Sequence, residues 1–435
     1  MTGEPTRSPG PVPRLLVGAA TVEVEVPPGT PMAGFAARQD PSRGVHDPTT
    51  VRALVLDDVA LVSVDVCALH EDTCAQVRAR LADVVPTCVV AATHTHSGPC
   101  VGRGRVGRHA AAVHDDVVAA AERAVRHAHA KRRACAVEYT EVRSPGVGAN
   151  RRHPGRSVDL RLQALCFRDP ADGRVVSRLV VYPCHPVVLD AANLLVSADY
   201  PGQVRTVLEA GDPGSVTMFL TGAAGDINTG HRAEDSYRAS GTGLRTYAEA
   251  ERVGAVLADA LGGAARHLVG GEVQATAVTE EVDLPLLPVD REQVRRDLAR
   301  WTTDLGEADA DRAALLGVWA SWARGVLDGG VPERATWRAR VTAVRLGEVA
   351  LVALPGEPFL ASGEQVRAAS SAPVIVLGYS DGCPGYLPPR EEYAHGGYEV
   401  DDAHRYYDMP APFAPGAAEQ LVAVACRLVG ADDGR

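Results

Sequence analysis

Short apolar stretches, alternating with polar positions or broken by turn residues, recur along most of this chain, and their spacing predicts strands joined by tight turns. Val22-Glu23-Val24-Glu25-Val26 alternates with period two, as a half-buried strand does. Apolar runs at 50–56 and 59–66 flank Asp57-Asp58 and read as a hairpin. A helix is predicted over 72–84 with Asp72 as its N-cap, then a buried strand at 88–92 and a long helix over 113–134. A second hairpin joins 160–167 to 175–182 through Asp169-Pro170-Ala171-Asp172-Gly173. Beyond it come a strand at 215–220, a helix over 243–268, a third hairpin from 341–345 to 349–354, a helix over 358–370, a strand at 374–377 and a last helix at 415–430. The expected fold class is α/β: a mixed β-sheet core with several hairpins, flanked by helices, with a site at strand-end loops.

Residues 1–13 are rich in Pro and Gly and read as a disordered tail, which leaves 14–435 as one domain. Between about 288 and 338 the pattern turns helical and charged and holds Trp301, Trp319, Trp322 and Trp337. Trp319 and Trp322 stand i,i+3 on one helix face, so core packing of a helical insertion is expected, with a pocket wall as the alternative.

Polar, ligand-type residues follow directly on apolar β runs, in glycine- or proline-bearing loops. His94-Thr95-His96 follows one run, Cys184-His185-Pro186 another, Gly225-Asp226-Ile227-Asn228 a third and Pro355-Gly356-Glu357 a fourth. In α/β sheets, sites assemble where several strand ends converge.

Composition narrows the chemistry. Of 435 residues, 46% are hydrophobic, and the formal net charge is −11. Lys131 is the only lysine, which excludes a Gly-Lys-Ser/Thr phosphate loop and any other Schiff-base lysine. The acidic balance argues against nucleic-acid binding. Arg103, Arg105 and Arg108 read as solvated surface, and so do His109, His114, His127 and His129. No apolar stretch is long enough for a membrane span and no secretory signal is evident. Nine cysteines without a CxxC pair fit reduced thiols, so a cytoplasmic location is expected.

Alternate residues of an extended segment point the same way, so His94 and His96 can reach one site. His-x-His also occurs in metallo-β-lactamase-like hydrolases and amidohydrolase barrels. The first would have a following Asp-His where this chain has Ser97-Gly98-Pro99, and the second would have regular βα alternation where this chain has hairpins.

Thr93-His94-Thr95-His96-Ser97-Gly98-Pro99 resembles the signature of the neutral (non-lysosomal) ceramidase catalytic domain. Further blocks resemble that family in the same order: Gly44-Val45-His46-Asp47-Pro48, Asn150-Arg151, Cys184-His185-Pro186, Ser197-Ala198-Asp199-Tyr200-Pro201-Gly202, Gly225-Asp226-Ile227-Asn228, Leu354-Pro355-Gly356-Glu357 and Gly385-Tyr386 through Tyr398-Glu399. The resemblance spans about 16–410. It implies a Zn²⁺ site with His94, His185, Glu357 and Tyr386 as ligands, donor types that suit zinc. It further implies that His96 stabilises an oxyanion or shuttles a proton, that Arg151 binds the carbonyl oxygen or another acceptor, and that Tyr398 donates a hydrogen bond to the tetrahedral intermediate. His46 is expected to be structural, and Asp226 either orients a ligand histidine or caps a turn.

The chain departs from the family pattern in three ways. Asn228 stands where ceramidases carry a serine, so an alkoxide nucleophile is absent there. No immunoglobulin-like C-terminal domain and no targeting segment are expected. The resemblance therefore implies a zinc-dependent hydrolase of the amide bond of a soluble N-acyl or related small molecule, with no nucleic-acid partner. Asn228 is carried as a candidate site residue. The alternatives are a metal-dependent amide-forming or cyclising enzyme of specialised metabolism, or a non-catalytic lipid- or metabolite-binding relative.

Overall fold

The computed structural model describes residues 15–231, 238–241, 243–270, 273–329 and 335–430, and the tail expected at 1–13 lies outside them. The larger sheet contains β1 (Leu15–Val24), β2 (Thr49–Leu56), β3 (Val59–Val64), β4 (Thr87–Ala92), β5 (Arg133–Arg143), β6 (Arg161–Arg168), β7 (Val175–Tyr182) and β8 (Val216–Thr221). Their order is β8-β7-β6-β5-β1-β2-β3-β4, with His267–Leu268 added beside β5. The pairs β3/β4 and β7/β8 are parallel and the other neighbours antiparallel. A second sheet orders β9 (Ala275–Pro285), β10 (Thr336–Leu346), β11 (Val349–Ala353) and β12 (Val374–Leu377), with only β11/β12 parallel.

Period-two alternation divides each strand between two apolar layers. Leu15, Val17, Leu54 and Leu56 of the first sheet pack with Leu351, Ala353, Ile375 and Leu377 of the second, so the two sheets bury one face against each other. The opposite faces, with Val51, Ala53, Val55, Val374 and Val376, are covered by helices. The helices are α1 (Glu71–Arg80), α2 (Ala111–Ala130), α3 (Asp199–Gly211), α4 (Tyr247–Gly262), α5 (Arg291–Asp304), α6 (Ala310–Asp328), α7 (Leu360–Ala368) and α8 (Ala417–Gly430). Val113, Val117 and Ala121 of α2 share an apolar cluster with the outer face of β1 and β2. Val204 of α3 and Val253 and Leu257 of α4 pack on Val180 and Phe219 of β7 and β8. Each fully buried Leu or Val contributes about 1.5–3 kcal/mol relative to exposure. The class is thus mixed α/β, with a large mixed sheet flanked by helices.

Several boundaries differ from expectation. The first strand begins at Leu15 rather than Val22, its alternation hidden by small residues. Gly18 is there because α2 lies on it: a Cβ would sit 1.9 Å from the Ala128 carbonyl oxygen. Helix α1 starts at Glu71 and is capped by His70, whose ring nitrogen accepts from the Asp72 amide, so Asp72 is not the cap. Strand β5 occupies a segment whose start had been assigned to the preceding helix. Neither α3 nor β9 was anticipated. Trp337 belongs to β10, not to the helical stretch. Arg105 is buried and its guanidinium meets Glu71, while His114 is buried between Thr73 and His109. Neither is solvated surface. No described helix is long and apolar enough to cross a membrane.

Candidate metal centre

Five strand ends deliver the site. β4 ends at Ala92, and the chain turns at His94, whose φ of +66° lies in the left-handed region. For a non-glycine residue this costs on the order of 1–3 kcal/mol. Backbone bonds from the Thr93 amide to Val64 (2.9 Å) and from the His94 amide to Val66 (3.0 Å) hold the turn. The extended geometry expected for His94-Thr95-His96 is therefore replaced by a turn, yet the two imidazoles still converge, with Nε2 atoms 3.2 Å apart.

His185 follows β7. Its Nδ1 is 2.7 Å from the Ala224 carbonyl and 3.0 Å from that of Ile227, in the loop after β8. His94 Nδ1 is likewise 2.6 Å from the Cys67 carbonyl. A carbonyl only accepts, so each Nδ1 carries a proton and each ring turns its Nε2 toward Glu357. Glu357 and Tyr386 come from the loops after β11 and β12, where Glu357–Pro358 pairs in parallel with Tyr386–Leu387. Gly356 makes this approach possible: it has φ +68°, and a Cβ there would come within 2.7 Å of the Gly385 carbonyl oxygen.

Four donor atoms now face one point. Glu357 Oε2 lies 2.9 Å from His185 Nε2 and 3.3 Å from His94 Nε2, and Tyr386 Oη lies 3.4 Å from His185 Nε2. A tetrahedron with metal–ligand bonds of about 2.0–2.1 Å has edges of roughly 3.3 Å, so these spacings fit one small cation. His94, His185 and Glu357 form a buried group that could hold a metal ion. Among the described residues no arginine or lysine is in ion-pair distance of Glu357. A buried carboxylate without a fixed cation is costly, and a bound metal ion would supply that charge.

The electrostatics suit this reading. Burial works against the ionised form of Glu357, but the His94 and His185 imidazoles outweigh it and hold the carboxyl well below its usual range. Burial, helped by the Arg151 charge, pushes His185 down to about 4, so its imidazole is neutral at pH 7. His96 is also kept neutral, by burial and the neighbouring His94 and His185. Burial pushes the Tyr386 phenol well up, and the Arg151 charge opposes that.

Two ligand-orienting tyrosines escaped the sequence reading. Tyr407 donates to Glu357 Oε1, and Tyr379 stacks on the His94 ring at 4.1 Å with its hydroxyl 3.4 Å from Glu357 Oε2. Tyr379 follows β12 directly, so the strand-end criterion had the signal to find it. Tyr407 had no such local signal.

Arg151 donates from Nη2 to Tyr386 Oη (2.9 Å) and from Nε to Glu399 (2.8 Å). Asp226 fixes the block by accepting from Asn150 Nδ2 (2.7 Å) and from the Leu360 amide at the start of α7 (2.8 Å). It is a cap and a brace, while the carbonyls of its loop orient His185. A cavity of about 440 Å³ opens over this centre. His96, Arg151, Tyr386, Tyr398 and Tyr407 line it, together with Phe35 and with Val318 and Trp322 of α6. The Tyr398 ring is 5.5 Å from that of Tyr386.

Asn228 does not line the cavity. Its carboxamide accepts from the Gly230 amide (2.9 Å) and donates to the His231 carbonyl (2.7 Å), and His231 is the residue that reaches the cavity. His46 bonds Asp47 and stacks on Tyr247. The tryptophans serve both expected purposes. Trp301, Trp319 and Trp322 pack together, the indoles of Trp319 and Trp322 donate to Tyr406 and to the Met409 carbonyl, and Trp322 forms part of the wall.

A mixed α/β fold carries at its strand ends a buried His/His/Glu group that could hold a metal, next to a cavity of about 440 Å³. Residues 16–230 match the family described as neutral/alkaline non-lysosomal ceramidase, N-terminal. The chain is 23% identical over a 489-residue alignment to neutral ceramidase of Pseudomonas aeruginosa, covering 91% of this chain and 69% of that protein. The crystal structure of that Pseudomonas ceramidase superposes with a TM-score of 0.71 at 18% identity, covering 97% of this chain and 74% of the other. A ceramidase complexed with C2 gives 0.72 at 18% identity, covering 97% and 75%. The chain therefore has the fold of a ceramidase-family amidohydrolase.

Proposed function

We propose that the protein is a zinc-dependent hydrolase that cleaves the amide bond of a soluble N-acyl small molecule. The observation that carries this reading is the convergence of His94 Nε2, His185 Nε2, Glu357 Oε2 and Tyr386 Oη, at spacings of 2.9–3.4 Å, next to the cavity that Tyr386 lines. Imidazoles, a carboxylate and a phenol are donors that suit Zn²⁺, which when bound would supply Lewis acidity and a nucleophile from water at neutral pH. Hydrolysis breaks the C–N bond and forms a C–O bond; one water proton goes to the leaving amine.

The chain's own groups fit the remaining tasks. His96, neutral and with Nδ1 lacking a protein partner, takes the water proton and returns it to the amine nitrogen. Arg151 holds the Tyr386 oxygen through its 2.9 Å bond and favours the phenolate. Tyr398, beside Tyr386 in the cavity wall, donates to the carbonyl oxygen as negative charge develops there. Tyr407 and Tyr379 orient Glu357, and Asn228 shapes the loop that carries His231. The Ser-to-Asn departure leaves all of these roles in place.

The test is turnover of a panel of N-acyl amines and N-acyl amino acids, with elemental analysis of the protein. About one zinc per chain and chelator-sensitive hydrolysis are expected, and His94→Ala loses both. Chelator-insensitive turnover, or wild-type activity in His94→Ala, overturns the reading.

A further inference from the structure

The cavity is cationic in a chain whose net charge is −11. Its charged lining consists of Arg38, Arg108, Arg151, Arg405, Asp40 and Asp408. Two of the arginines are matched within the protein. Arg151 pairs with Glu399, and Arg405 pairs with Asp402 while lying 4.8–5.5 Å over the rings of Trp301, Trp319 and Trp322. Asp40 faces Arg43.

Arg38 and Arg108 are not matched. Arg38 is only 8% exposed; its guanidinium is hydrogen-bonded by the neutral carbonyls of Ala33 (2.9 Å), His96 (2.7 Å) and Asp190 (3.0 Å) and lies 4.8 Å over the Phe35 ring, with no carboxylate in ion-pair distance among the described residues. Its Nε has no partner. The Asp190 carboxylate favours the Arg38 charge and Arg245 opposes it, but burial dominates and pushes the guanidinium down to about 10. Arg108 is exposed and, among the described residues, makes no hydrogen bond or ion pair. A backbone bond from the Gly34 amide to the Val106 carbonyl (3.0 Å) ties together the loops that carry the two arginines.

A buried guanidinium held by carbonyls and an aromatic face, with no carboxylate paired to it, gains from an arriving anion, because attraction is strong where water is excluded. The place of that anion is set by the bond from Arg38 to the His96 carbonyl, which puts the charge beside the reacting centre. Met32, Val318 and Trp322 contribute apolar surface to the wall. We propose that the substrate is an N-acyl α-amino acid, its carboxylate held by Arg38 and Arg108 and its acyl chain lying along the Met32, Val318 and Trp322 wall. An α-carboxylate is two bonds from the amide nitrogen, which matches a cation next to His96. This inference rests on the hydrolase reading for the scissile bond, but not for the anion site itself.

A matched pair of probes tests it on the zinc-loaded protein: N-octanoylglycine and N-octanoylethanolamine, which differ in carboxylate against hydroxyl. The glycine conjugate is expected to have a kcat/KM at least tenfold higher, and Arg108→Gln, at an exposed position, to reduce that ratio at least tenfold. Arg38→Gln should do the same if its fold survives, as circular dichroism would show. Added salt should reduce the preference by screening Arg108. Equal turnover of the two probes, or an unchanged ratio in Arg108→Gln, overturns the anion site while leaving the hydrolase standing. Calorimetry separates the opposite case. If neither probe is hydrolysed, tighter binding of the glycine conjugate that is lost in Arg108→Gln keeps the anion site and removes the hydrolase. Binding of neither probe overturns the anion site.

Discussion

At the scale of the residue, Glu357 is the group on which the centre depends. It is fully buried, meets both histidines through Oε2 and is bonded by Tyr407 through Oε1. Glu357→Gln keeps the shape and removes the charge, so metal affinity measured with a competing chelator should fall at least tenfold, with activity falling alongside it. Asp65 makes the corresponding structural case away from the site. It pairs bidentately with Arg205 at 2.7 and 2.9 Å, both side chains buried. Removing one partner leaves an uncompensated charge, and Asp65→Asn should cost about 3–5 kcal/mol in urea denaturation.

His114 gives a pH dependence with a definite sign. Burial, reinforced by His109 and Arg103, pushes it down to about 4, while an unfolded imidazole titrates near 6.5. Between those values the unfolded chain holds a proton that the folded one lacks. This group's contribution is therefore full above about pH 6.5 and is lost as pH falls toward 4, at up to about 1.4 kcal/mol per pH unit. Urea midpoints at pH 5 and 7 should show that slope, and His114→Gln should flatten it; an unchanged slope would remove His114 as its source.

At the scale of the element, the site depends on how loops are pinned to strand ends. Asp226 joins the loop after β8 to α7 and to Asn150, which in turn accepts from the Arg152 and His153 amides. Asp226→Ala should cost about 1–2 kcal/mol for the lost cap. It should also lower kcat by releasing Asn150, the neighbour of Arg151, from its 2.7 Å bond to the Asp226 carboxylate. A variant with reduced stability and unaltered kcat would show that the brace is not felt at the centre. Elements with clear periodicity, such as the hairpins β2/β3 and β6/β7, were legible because alternation alone reports a half-buried or buried strand. The start of β1 was not, because Gly18 is dictated by α2 lying across it rather than by local pattern. Strand β9 was missed because most of its positions are exposed or half-buried.

At the scale of the whole molecule, two sheets meet face to face and their strand ends bring residues from 94 to 386 to one point. Ion binding there should stabilise the folded state as a whole. At free zinc a thousandfold above Kd the gain is about 4 kcal/mol, so chelation should lower the calorimetric Tm and zinc should restore it. A Tm indifferent to chelator and zinc would show that the centre holds no metal.

The chain by itself determined the strands and hairpins with regular alternation, the position of ligand-type residues directly after apolar runs, and, through motif resemblance, the histidines, glutamate and tyrosine to compare. These are local properties, carried by residue type and spacing. Only the tertiary structure decided that His94 turns through a left-handed conformation, that Tyr379 and Tyr407 brace Glu357, that Asn228 serves a loop while His231 reaches the cavity, and that Arg38 is left without a carboxylate. Those features are distances between atoms far apart in sequence, and they exist only once the packing of two sheets has fixed which loops share a space.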